Sequence, residues 1–229
     1  MKIMKQILVT AALLAWSAAS QAAIETSGSA TVNQDIPDGN PSGVASTISL
    51  NVLGNQIVPG SVSVFLNISG SFSGDLFAYV THGSGYSVLL NRVGADSSDG
   101  LGYGDFGLNV RFSDSAANGN IHTYRQVATP AFQSQLGGTW APDGRSVSPY
   151  AINGSEIPTA KLSSFDQIDP NGDWTLFVAD VNGGDLHTLV SWGLDMSVAP
   201  EPASYGLMAG LASLVVVIRR KLFVSGAKM

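Results

Sequence analysis

Between Ser61 and Ile68 the apolar residues Val62, Val64, Leu66 and Ile68 fall on every second position. Side chains of an extended strand alternate between faces, so these four share one face. The same period aligns Trp174, Leu176 and Val178. It also aligns Val190, Trp192, Leu194, Met196 and Val198, with Ser191, Gly193, Asp195 and Ser197 opposite. Val44–Val52 sets Val44, Ile48, Leu50 and Val52 against Thr47, Ser49 and Asn51, and Leu76–Val80 and Tyr86–Leu90 are shorter strand candidates. Turn-forming clusters punctuate these runs: Asp38-Gly39-Asn40-Pro41, Ser69–Gly74, His82–Gly85, Asp96–Gly104, Asn171-Gly172 and Asn182–Asp185. Residues 23–198 show no convincing 3.6-residue amphipathic period and no internal repeat. Many short strands with one polar face and Gly-rich turns predict an all-β sandwich. Residues 113–165 hold Asn118-Gly119-Asn120, Gly137-Gly138, Pro142-Asp143-Gly144 and Pro158. They read as a long irregular insertion with one or two short strands, of the kind that is often functional or mobile.

The two ends have a different pattern. Tyr205–Ile218 is an uncharged run of 14 residues, preceded by Pro200-Glu201-Pro202 and followed by Arg219-Arg220-Lys221. As a helix it would be roughly 21 Å long, short for a hydrocarbon core of roughly 30 Å. The basic cluster places the tail on the cytoplasmic side and the body of the chain outside. At the other end, Lys2 and Lys5 precede the apolar stretch Ile7–Trp16, and Ser20-Gln21-Ala22 offers small residues at −3 and −1 of a cleavage site. That order predicts a signal peptide helix over residues 1–22, cleaved after Ala22. The C-terminal order resembles a PEP-CTERM sorting signal, with Pro200, Glu201 and Pro202 as its motif and Arg219 and Arg220 in its basic cluster. The resemblance implies a bacterial protein handled by signal peptidase and an exosortase. It implies transient inner-membrane insertion through a helix at 205–218, then release to the cell surface or extracellular matrix. The expected organisation is signal peptide 1–22, a short lead-in 23–34, a β-domain 35–198 and the sorting signal 199–229.

Removing both ends changes the charge. The formal charge is −6 for the whole chain, but six of the 11 Lys and Arg lie in the terminal segments. All 17 Asp and Glu fall between Glu25 and Glu201, which leaves −12 for residues 23–202. Such a surface repels nucleic acid and anionic polymers and attracts divalent cations. Fourteen of the acids are Asp, a turn and loop former rather than a helix former. The absence of cysteine excludes disulfides, thiolate catalysis and Cys-ligated zinc.

The body carries a series of short motifs. Ile36-Pro37-Asp38-Gly39 is followed by Ser73-Gly74-Asp75-Leu76, Gly83-Ser84-Gly85, Val88-Leu89-Leu90, Gly104-Asp105-Phe106 and Phe112-Ser113-Asp114. Asp169-Pro170-Asn171-Gly172-Asp173-Trp174-Thr175-Leu176, Gly183-Gly184-Asp185 and Leu189-Val190-Ser191-Trp192-Gly193-Leu194 complete it. In number and order these motifs resemble the P domain (P/Homo B domain) that follows the catalytic domain of kexin-like and furin-like proprotein convertases. The likeness covers about residues 35–198, without the family's Pro and Thr in the Gly83 hairpin. It implies a jelly-roll β-sandwich of about eight strands that stabilises a protease and is not itself catalytic. Read without the family, Asp-Pro-Asn-Gly is a strong turn, in which Pro170 presets φ and Gly172 accepts a positive one. Trp174 and Trp192 fall on inward faces and are expected in the core.

Catalytic chemistry is sparse. No GxSxG, HExxH or P-loop occurs, and Thr81-His82-Gly83-Ser84-Gly85 reads as a hairpin turn rather than a subtilase histidine segment. His122 and His187 lie among Asn and Gly residues and are expected in solvent. Asp96, Asp99 and Asp105 share one Gly-rich stretch and are candidate ligands for calcium, which takes six to eight oxygens; a solvated acidic loop is the competing reading. The leading expectation is a non-enzymatic exported module with a structural or interaction role in an extracellular polysaccharide or biofilm matrix. The alternative is a binding module, for carbohydrate through Tyr86, Tyr103, Tyr124 and Tyr150 or for a separate protease. A hydrolase is the third.

Overall fold

The computed structural model describes residues 23–199. The expected signal peptide and the sorting motif with its helix, 200–229, lie outside the described residues. Ten strands form: β1 (Ile24–Ile36), β2 (Asn40–Leu50), β3 (Gln56–Ile57), β4 (Ser63–Gly70), β5 (Leu76–His82), β6 (Gly85–Asn91), β7 (Leu108–Phe112), β8 (Thr139–Trp140), β9 (Gly172–Asp180) and β10 (His187–Ala199). Among the described residues, helical content is limited to 3-10 turns at Ser73–Asp75, Ile121–Gln126 and Leu162–Phe165. The all-β expectation holds. Among the described residues no helix is long and apolar enough to cross a membrane.

The strands form two sheets. Sheet A has the order β1-β10-β4-β7-β8, with β3 added to β10, and sheet B the order β2-β9-β5-β6. Setting aside two-residue β3 and β8, the eight long strands lie first-eighth-third-sixth in one sheet and second-seventh-fourth-fifth in the other. The chain therefore changes sheets repeatedly, and every pairing between long strands is antiparallel. The alternating residues face inward as expected: Val64, Leu66 and Ile68 from β4, Trp174, Leu176 and Val178 from β9, and Trp192, Leu194, Met196 and Val198 from β10 are buried in one apolar cluster. Each large aliphatic side chain fully buried there contributes roughly 1.5–3 kcal/mol.

The turn before β9 is fixed by its own side chains. The Asn171 backbone N–H donates to Asp169 Oδ1 at 2.9 Å, Gly172 takes φ +104°, and Trp174 Nε1 donates to Pro170 O at 3.0 Å.

Two sequence readings need correction. Residues 23–34 are not a lead-in. From Ile24 on they belong to β1, which pairs with β10 from Ile24↔Val198 to Ile36↔His187. Its inward residues Thr26, Gly28, Ala30 and Val32 are only half-buried and, Val32 apart, small or polar, so the hydrophobic alternation that marks other strands is faint. Val190 does not share the Trp192 face, because a bulge between Leu189 and Ser191 shifts the register and buries Leu189 instead. Residues 113–165 are irregular as expected, with the single two-residue strand β8 and two 3-10 turns, and they are also well packed. They supply Ile121, Tyr124, Trp140, Leu162 and Phe165 to the core.

Candidate functional site

The three aspartates proposed for calcium have separate commitments. Asp96 Oδ1 accepts from Ser98 N, Ser98 Oγ and Asp99 N at 2.6–2.8 Å. These bonds hold its carboxyl below the usual range. Asp99 Oδ1 caps Leu101 N. Asp105 faces the other way: Arg125 donates to both its oxygens at 2.8 and 2.9 Å, and Tyr124 Oη donates to Oδ2. Burial opposes its ionisation, but the bonds from Arg125 and Tyr124 and the Arg125 charge outweigh burial and hold Asp105 low. Among the described residues no three His, Asp or Glu side chains converge at metal-binding spacing. Asp105 is thus an ion-pair partner, and the sequence missed this because Arg125 lies twenty residues away in an irregular segment.

The histidines are not solvated. His122 is buried, with Nδ1 2.8 Å from Asp143 Oδ2 and Nε2 3.0 Å from Ala95 O. Asp143 also pairs with Arg145, which lies 3.8 Å from Glu156. His187 is buried with Nδ1 2.9 Å from Asp180 Oδ2. His82 stacks on Trp174 at 4.2 Å and sets its two nitrogens against the carbonyls of Asp173 and Asp169. The Asn/Gly flanks concealed partners distant in sequence. No ring nitrogen of these three histidines has a hydroxyl partner, which a Ser-His-Asp triad requires.

The tyrosines do not form one platform. Tyr124 is fully buried, and burial with its bond to Asp105 pushes its phenol far up. Tyr103 packs edge-on against Tyr124 beneath Arg125. Tyr86 joins Phe77, Tyr79 and Phe177 in a half-buried aromatic group on sheet B. Tyr150 is 63% exposed.

A concavity lies elsewhere, on the outer face of sheet A. It is a groove of about 490 Å³ over β1, β10, β4 and β7, within the usual range for ligand sites. Register builds it in rows across the strands. One row is Thr31, Ser191, Asn67 and Asn109. The next is Ser29, Gly193, Phe65 and Arg111. Gly193 is closely packed by β1 in the second row, where a Cβ would meet Gly28 O at 2.8 Å and Ser29 Cβ at 3.2 Å. Phe65 is 40% exposed, and the Arg111 guanidinium sits 4.0 Å from its ring centroid. Arg111 is held there by a bidentate pair with Asp195. Asn67 Oδ1 accepts from Gln135 Nε2 at 2.8 Å, which orients its amide. Sequence reasoning had Ser191, Gly193 and Asp195 on one face but not their neighbours, because register cannot be read from single strands.

No family model matches the chain, and no curated protein matches it. Among solved structures it is similar to a serine protease of Aeromonas sobria, at 14% identity and a TM-score of 0.42. That match covers 81% of this chain and 29% of the protease chain, so the chain spans less than a third of that protein's length. A likeness this distant decides neither fold nor activity.

Proposed function

We propose that this chain is an exported, non-enzymatic jelly-roll module, sorted by an exosortase-type system to the cell surface or extracellular matrix. The observation that carries the reading is the order Pro200-Glu201-Pro202, apolar run, Arg219-Arg220 at one end with a signal-peptide pattern at the other. The jelly-roll reading is supported by the strand orders first-eighth-third-sixth and second-seventh-fourth-fifth. It also agrees with the P-domain-like motifs, whose Asp-Pro-Asn-Gly turn and inward Trp174 and Trp192 serve packing. The commitment of all three histidines to carbonyls or carboxylates supports a role without catalysis.

Intact mass of the protein recovered from the medium tests the reading. Termini near Ala23 and Pro202 are expected. A mature mass that retains residues 205–218 would reduce the C-terminal segment to an ordinary anchor and remove the exosortase from the account.

A further inference from the structure

We propose that the groove on the outer face of sheet A binds a strand of neutral polysaccharide. The inference gives the exported module a ligand and depends on that reading only for the compartment where the ligand is met.

Three observations select the ligand. The first is the chemistry of the lining. Thr31, Ser191, Asn67 and Asn109 present two hydroxyls and two amides in a line across four strands. Three inter-strand steps span roughly 14 Å, the reach of a short oligosaccharide. Hydroxyls and amides both donate and accept, as do the hydroxyls of a sugar. The second is the apolar step beside that line. Phe65 stands in the adjoining row, 40% exposed, with part of its ring surface open. Its position is fixed through Arg111 and Asp195, so little freedom is lost when the C–H face of a pyranose packs on it.

The third observation is charge. All four arginines of the described residues lie against carboxylates, as Arg92–Asp75, Arg111–Asp195, Arg125–Asp105 and Arg145–Asp143. Lys161 is the remaining lysine or arginine there and does not line the groove. A phosphate or uronate would find no unpaired cation in the groove and would meet a repulsive field from sixteen acidic residues. The groove itself carries one balanced ion pair at its margin, which suits an uncharged ligand.

Calorimetric titration of the secreted protein with neutral glucan, mannan and galactan hexasaccharides tests the proposal, with an oligouronate of equal length and an extended peptide as competitors. At least one neutral sugar should bind saturably and the oligouronate should not. Phe65→Ala and Asn67→Ala should each weaken binding by about ten-fold or more. Thr31→Val, which keeps the shape and removes only a hydroxyl, should weaken it less but measurably. Tyr79→Ala, in the aromatic group of sheet B, should leave the affinity unchanged. Thermal melts of each variant report folding separately. Absence of neutral-sugar binding overturns the proposal. So does equal binding of the oligouronate, binding of the peptide alone, or a loss caused by Tyr79→Ala and not by Phe65→Ala. The intact-mass experiment is independent: sugar binding by a protein with unprocessed termini would remove the sorting reading and leave the groove standing.

Discussion

Asp75 and Asp105 are both largely withdrawn from solvent, yet their partners set them in opposite directions. Burial is the main influence on Asp75, and the Asp180 carboxylate adds to it. The amide of Asn182 and the charges of Arg92 and His187 pull back without prevailing, so its proton is held more tightly than in the unfolded chain. The stability it contributes is present below pH about 3.8 and lost as pH rises through the raised folded value. At Asp105 the bonds from Arg125 and Tyr124 win over burial. Its contribution is present above the unfolded value and lost as pH falls through the depressed folded one. Denaturant unfolding across pH about 2 to 7 separates the two. The stability of Asp75→Asn relative to the parent should improve as pH rises past about 4. That of Asp105→Asn should worsen from the acid end up to about the same pH. Parallel pH profiles for the two variants would contradict this. The same commitments bear on calcium. With Asp96 Oδ1 saturated by three donors and Asp105 held by Arg125, calcium chloride should give no saturable rise in melting temperature beyond sodium chloride of equal ionic strength. A saturable rise would restore a site at this loop.

At the scale of elements, β1 shows what the sequence makes legible. Strands β4, β9 and β10 announce themselves because large apolar residues alternate over a core that needs them. β1 closes the side of the structure where β2 approaches, and there is little room. A Cβ on Gly28 would come within 2.7 Å of Ile48 Cγ2 and 2.9 Å of Leu50 Cδ2. Small inward residues are therefore a consequence of packing, and they erase the hydrophobic signal that would have revealed the strand. The groove was half legible for a related reason. The polar face of β10 could be read from its period, but Phe65 and Asn67 join it only through pairing with β4, and pairing is decided in three dimensions. The irregular 113–165 segment was the least legible, since its buried Trp140 and Phe165 follow no period at all. Packing at β1 is testable. Gly28→Val should destabilise by about 1–3 kcal/mol through overpacking. Ser27→Val, on the exposed outer face of the same strand, should stay within about 0.5 kcal/mol. Equal effects of the two substitutions would mean that β1 does not pack on β2 through this face.

At the scale of the molecule, electrostatics works against the folded state more than for it. Sixteen acidic and five basic residues give residues 23–199 a net charge of −11, and compaction brings those charges together. The exposed pairs offset little of this. Arg111–Asp195 and Arg125–Asp105 are partly exposed, and such pairs contribute about 0–1 kcal/mol each. Salt weakens attraction and repulsion alike, so the sign of its effect reports which dominates. Raising sodium chloride from 0.01 M to 0.15 M shortens the screening length from about 30 Å to about 8 Å. Long-range repulsion among the surplus carboxylates is cut first, while bidentate contacts at 2.9 Å are little altered. The melting temperature should therefore rise, by about 2–4 °C for each kcal/mol of repulsion removed. The Asp75→Asn and Asp105→Asn variants extend the test. Each removes one negative charge, but only Asp105→Asn also breaks a bidentate pair with arginine. A melting temperature that falls with salt in the parent, and falls less in Asp105→Asn, would show that the ion pairs and not the net charge govern the whole.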